Sequence, residues 1–323
     1  MVSLLLSKRR TEQRYARLRE IESMDVGTHY TRIWYLAMGT EFPWDYSLSG
    51  ALGFYNSIAP RGIADILVRT GELTGNTRRR MEHHGAISLE IARRGCREPS
   101  GKAAVRQLNR IHHNAIKSIS THGHEFTITN EMYLFVLATS MLTQMRWVDR
   151  HGWRPLSEQE RKAACLHFRE QGKNMGMTGI PESYDEFVRL HDDYVDTHVH
   201  YSPEAEKLYR ATQDVIIGPL VGWLPARLTT IGTRVARAVV PALLTPHLRR
   251  AFGVATPSPL LRAAVRLAIK ARSAYVRRTP PRQHPIYPDP LPTTDFPQAD
   301  YEWAQLGPSH SGSATPGCGI RPA

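Results

Sequence analysis

The stretch VRQLNRIHHNAIKSI, residues 105–119, decides how the chain folds. Val105, Leu108, His112, Ala115 and Ile119 recur at steps of three and four, so they line one face of a helix, and that face is apolar apart from the imidazole. His113 shares its side with Arg106, Asn109 and Lys117, a solvated flank, so His112 is the member of the pair expected inside. A buried imidazole needs a partner. It is either a core histidine donating to a backbone carbonyl or a ligand of a metal or haem iron.

The same periodicity runs outward in both directions. Upstream, 11–24 and 25–38 read as helices, the second capped by Asp25, and Pro43 opens a helix carrying Leu48, Leu52, Tyr55 and Ile58. Pro60 and Gly71 bracket a short helix. Residues 77–94 set Arg80, His83, His84, Ile87 and Ile91 on one side of a helix, a cation and two imidazoles on a partly apolar face; alone, this pattern also fits a polar rim over solvent. Downstream, Thr129 or Asn130 caps the most apolar helix, with Met132, Phe135, Val136, Thr139, Leu142 and Trp147 facing inward. Ser157 with Glu160 and Ser183 with Glu186 have the spacing of capping boxes. No useful strand alternation and no fixed repeat appear, so the expected class is all-α, helix packed on helix.

A chain of 323 residues, 41% hydrophobic, can bury a large core. The three cysteines, Cys96, Cys165 and Cys318, are too few and scattered for a disulfide framework or a thiolate zinc site, and no CxxCH is present for covalent haem attachment. The net charge of +12 points to an anionic partner. Between Asp214 and Asp289 there is no acidic residue, while arginines and Lys270 recur from Arg227 to Arg278. Leu260, Leu261, Ala264, Leu267, Ala268 and Ala271 form one stripe there, with Arg262, Arg266 and Lys270 displaced from it. Such a basic amphipathic segment suits an anionic membrane surface. Nucleic acid ranks well below, because the segment has few aromatics for stacking and no binding motif. The third option is arginines solvating a helix packed on the main domain. The apolar start MVSLLL before Lys8, Arg9 and Arg10 is either the stump of a membrane anchor or simply an apolar beginning.

Seven stretches taken together resemble one family: EFPWDYS at 41–47, the Thr70-Gly71-Glu72 turn, RRRMEHH at 78–84, VRQLNRIHH at 105–113, TNEMYLFVLAT at 129–139, RWVDRHGWRPLS at 146–157 and GIPESYDEF at 179–187. Their order and spacing are similar to the catalytic domain shared by the ER-bound oxygenase MpaB and the rubber oxygenases, or latex-clearing proteins, from about Glu41 to about Gly218. The basic stretch from Trp223 to Arg278 resembles the C-terminal continuation of fungal members. The resemblance implies a globin-like helical bundle, a non-covalent haem b with its iron, and use of dioxygen to cleave a double bond in the isoprenoid chain of a lipophilic, prenylated substrate. It carries the proximal iron ligand onto His112. It carries the distal pattern, an arginine, two residues, then lysine and threonine, onto Arg80 to His84, where Arg80 is kept and His83 and His84 replace the other two. On this basis Arg80, His83 and His84 are the expected catalytic residues, and His112, Arg80 and Arg106 the expected cofactor-binding ones. Phe135, Met132 and Leu142 are candidates for an apolar channel, or for ordinary core.

The expected organisation is an N-terminal helical segment over 1–40, a haem-binding domain over 41–220, basic helices over 221–278 and a Pro-rich disordered tail over 279–323. The expected location is the ER membrane or its cytoplasmic face, or the cytoplasm if there is no anchor. Two rivals stay open: a metal phosphohydrolase built on the His191-Asp192 dipeptide, and a membrane-bound relative that holds haem or an apolar ligand without turning it over. Paired Glu-x-x-His motifs, which a ferritin-like di-iron site requires, are missing.

Overall fold

The structure, a computed structural model, describes residues 12–121, 128–221 and 225–308. The apolar start lies outside these residues. Among them there is no strand, and the class is all-α as expected. The helices are α1 (Ala16–Glu22), α2 (Val26–Tyr35), α3 (Pro43–Ile58), α4 (Arg61–Thr70), α5 (Glu72–Gly75), α6 (Thr77–Arg94), α7 (Pro99–Thr121), α8 (Asn130–His151), α9 (Glu158–Asn174), α10 (Tyr184–His198), α11 (Pro203–Val221), α12 (Ala226–Leu243), α13 (Pro246–Ala251) and α14 (Pro259–Arg278).

The local signals act where expected. Asp25 accepts from Thr28 N–H, Thr129 from Met132 N–H, and Pro43 stands in the first turn of α3. Ser157 and Glu160 form a complete capping box. At the second box Ser183 accepts from Glu186 N–H, but the Glu186 carboxylate takes Glu182 N–H instead, so only half of the reciprocal pattern forms. Between α2 and α3 the chain widens into a π-helical turn, Leu36–Glu41, which is buried from Ala37 onward.

The core is built around α8, with α3, α9, α10 and α14 packed against it. Phe135, Met141, Leu142, Met145 and Val148 are fully enclosed along it, together with Tyr55 and Phe187. Phe135 stacks on Tyr194 at 4.3 Å between ring centroids and lies 5.5 Å from His191. Phe135 and Leu142 are therefore core packing and line no channel. Met132 is half-buried, with its methyl group against α4 at Gly62.

α6 and α7 pair as a tight antiparallel hairpin. Gly95 has φ 66°, and a Cβ on Gly101 would sit 1.8 Å from the Gly95 carbonyl oxygen, so no larger side chain fits that crossing. The tight turn sets the middle of α6 level with the second half of α7, and so His84 level with His112.

The expectation of a disordered tail is corrected over 279–308. This segment has little regular structure but lies along α6 and α7 as a strap. Asp289 bridges Arg93 and Arg94, each at 2.6 Å, Glu82 accepts from the backbone N–H and hydroxyl of Thr294, and Arg110 donates to the Ala304 carbonyl. Leu306 is fully buried, with Leu291, Phe296, Tyr301 and Trp303 packed beside it. Proline content suggested disorder, but five large apolar anchors within sixteen residues bury enough surface to offset the ordering entropy.

Two buried ion pairs close the far end of α8. Arg154 donates to both Glu160 oxygens at 2.7 and 2.8 Å, with 5% and 0% of the side chains exposed. Arg14 lies 2.9 Å from Glu41, in the last position of the π turn, and its guanidinium sits 3.9 Å over the Trp153 ring. Removing one partner of such a pair strands a buried charge, so Arg154→Ala should lower stability by about 3–5 kcal/mol. Arg154→Met with Glu160→Leu should cost much less; both are read from urea denaturation. His167 gives a separate readout. Its ring is buried beside Trp34, and burial pushes its pKa down to about 4. The unfolded chain takes up that proton near pH 6.5, before the folded one can. This contribution to stability is complete above about pH 6.5 and lost as pH falls towards about 4. His167→Gln should flatten the stability–pH curve across that window.

Candidate functional site

α6 and α7 bring Arg80, His84 and His112 together. Arg80 is half-buried and makes no hydrogen bond or ion pair among the described residues; burial lowers its pKa, and Glu72 opposes that. His84 has a large accessible area, yet its surroundings are so crowded with protein that desolvation, helped by Arg80 and His112, pushes its pKa to about 3. His112 is half-buried, its pKa pushed to about 4 by burial and then by Arg80. Three facing groups thus comprise one unpaired guanidinium and two imidazoles neutral at physiological pH.

The orientation of each ring follows from its remaining contacts. His84 Nδ1 lies 3.4 Å from the Ser88 hydroxyl one turn along. His112 has its Nδ1 buried without a hydrogen-bond partner, and its ring lies 5.4 Å from that of Tyr133. His112 also borders a recess of about 270 Å³ with Asn109, His113, Tyr133 and Met175. Residues 122–127, which follow its helix, lie outside the described residues. The core-histidine option, donation to a backbone carbonyl, is not the arrangement present.

The structure separates His83 from this group. Its side chain is 1% exposed, Nδ1 accepts from Gly307 N–H at 3.0 Å, and Nε2 lies 3.2 Å from Asp295. Burial lowers its pKa, and the carbonyl of Gly307 and the carboxylate of Asp295 pull the other way. The expected grouping of His83 with the distal residues is corrected: successive helical residues point about 100° apart, so His84 lies near Arg80 and His112 while the strap takes His83. Arg106 is exposed on the solvent flank of α7. Sequence reasoning missed Tyr133 and Met175. Tyr133 was readable as the fourth residue of α8, but its meeting with α7 depends on helix packing. Asn109 was assigned to the solvated flank; its amide instead donates to the Asn174 carbonyl beside the recess.

The His191-Asp192 pair is engaged otherwise. Arg146 donates to both Asp192 oxygens at 2.9 and 3.0 Å, and Asp192 accepts from His191 Nδ1 at 2.7 Å if that nitrogen carries the proton. A guanidinium at that distance from both carboxylate oxygens competes with any cation for them, and among the described residues no cluster of three candidate ligands forms.

Fold and site together define an all-α protein in which two neutral imidazoles and an arginine with no counter-charge among the described residues lie near one another, with a recess beside one of the imidazoles. Residues 59–274 match the family described as the ER-bound oxygenase mpaB/B′ and rubber oxygenase catalytic domain, and the chain belongs to that family. It is thus an oxygenase-family catalytic domain, of the oxidoreductase class. The match begins after EFPWDYS and runs through most of α14, so it takes in the basic helices. No individual curated protein matches the chain significantly.

An enclosed cation without a partner destabilises the fold that holds it. Arg80→Met should raise the urea midpoint of the ligand-free protein, a gain of about 1–3 kcal/mol, as expected where a site is kept at the expense of stability.

Proposed function

We propose that the domain holds a non-covalent haem b beside α7 with His112 as the protein ligand of its iron, and that it uses dioxygen to cleave a carbon–carbon double bond in the isoprenoid chain of a lipophilic substrate. The observation that carries this reading is His112: a neutral, enclosed imidazole that forms no compensating hydrogen bond at its buried nitrogen. Buried polar atoms are rarely left so, and neutral imidazole is the form that ligates iron. Membership of an oxygenase family supports the chemistry.

The residues fit such a group. Haem bound through one imidazole supplies an iron that takes up dioxygen. Arg80, half-buried and without a counter-charge, suits a propionate carboxylate through a forked pair of charge-assisted bonds, or a polar group on the distal side. His84, held neutral by burial and by Arg80, can donate or accept one hydrogen bond there without adding a charge. The strap over 279–308 seals the outer side of α6 and α7 and limits water. His83 takes no direct part, since it holds that strap. A globin-like arrangement and binding at the ER belong to the same proposal; no helix among the described residues is long and apolar enough to cross a membrane.

Purified protein supplied with haem should show a Soret band that His112→Ala removes, while Arg80→Leu should weaken haem binding about tenfold, roughly 1.4 kcal/mol. Normal haem uptake by His112→Ala defeats the ligand assignment. Haem binding without oxygen uptake on a polyprenyl or prenylated aromatic substrate would favour the binding-only alternative.

A further inference from the structure

We propose that the face formed by α12 and α14 docks on an anionic phospholipid membrane, with a headgroup phosphate seated in the groove between α14 and the end of α8. The apolar stripe of α14 points away from the protein: Leu260, Leu267 and Tyr275 are 80%, 68% and 70% exposed, and Ala264 and Ala271 lie on the same side. α12 adds Leu228, Ile231 and Val235 at 43%, 58% and 57%. These six are all but two of the exposed large hydrophobic residues described, and they stand on two helices packed against each other. The opposite side of α14 makes the anchorage, through Val265, Ile269, Arg272 and Val276. The outward stripe is thus left over after the helix has been held in place.

The charges fit a lipid surface. Arg266, Lys270 and Arg277 follow one flank of the stripe, and no acidic residue occurs between Asp214 and Asp289. On that flank a groove of about 320 Å³ gathers Arg150, Lys270, Arg277 and Arg278 and no carboxylate. Ser273 donates to the His151 carbonyl, Arg277 to the Trp153 carbonyl and Arg278 through one nitrogen to the Ala274 carbonyl, which leaves Arg150, Lys270 and the remaining guanidinium nitrogens for a phosphate. Apolar side chains beside it enter the boundary between headgroups and acyl chains. A second copy of this chain would press one cationic face on another. Nucleic acid would leave the apolar stripe uncovered and finds few aromatics to stack on.

The groove and the imidazole site are far apart. Tyr133 beside His112 and His151 beside the groove are separated by most of α8, roughly 27 Å at the helical rise. The proposal therefore stands or falls separately from the oxygenase reading.

The full chain should float with vesicles of phosphatidylcholine containing about a third phosphatidylserine and bind at least tenfold more weakly to phosphatidylcholine alone. Leu267→Asp with Tyr275→Asp should abolish binding, and Lys270→Glu with Arg278→Glu should weaken it at least tenfold, with unchanged circular dichroism and melting temperature because these side chains are exposed. Failure of the wild type to bind anionic vesicles overturns the proposal, as does binding that survives both variants. A dimer that Leu267→Asp dissociates would assign the face to a second copy and overturn it too. So would binding of inorganic phosphate at the groove without any vesicle binding.

Discussion

Glu41 and Asp45, two buried carboxylates four residues apart in EFPWDYS, tie the segment ahead of α1 and the helix α14 to the core. Glu41 meets Arg14 ahead of α1. Asp45 accepts from Trp147 Nε1 at 3.0 Å and from Arg272 of α14 at 3.0 and 3.2 Å, while the Arg272 guanidinium lies 3.9 Å over the Trp44 ring. Burial raises the pKa of both carboxyls and the arginines oppose it, so each acid holds its charge only while its cation stays in place. The π turn ending at Glu41 and the first turn of α3 give the two acids their separation. The orientation of α14, and with it what that helix shows to its surroundings, follows from Arg272.

At the imidazole site the balance is reversed. The pairs around Trp153 are matched cation to anion, whereas Arg80 is enclosed with no carboxylate beside it and with two histidines that burial and the arginine keep neutral. A fold selected for stability alone would not leave a guanidinium in that condition. The mismatch is the electrostatic mark of a site suited to an anion.

The strap links the two regions to the rest of the molecule. By holding His83, Glu82, Arg93 and Arg94 it turns one side of α6 into core and leaves the other side, with Arg80 and His84, facing inward. An irregular segment can do this because its contacts are side-chain anchors and ion pairs, which need no helical repeat.

By itself the sequence determined the helices, their caps at Asp25, Thr129 and Ser157, and the inward turn of His112, because caps and periodicity are local and are written within a few residues. It was also enough for family membership, through seven motifs kept in order. Only the tertiary structure decided which of His83 and His84 lies with Arg80 and His112, since both lie near the same helical stripe and the choice depends on a strap more than two hundred residues away. It likewise decided that the apolar stripe of α14 faces outward. Periodicity finds a stripe but not the side from which the core approaches, and here the Arg272–Asp45 ion pair together with Val265, Ile269 and Val276 fixes that side.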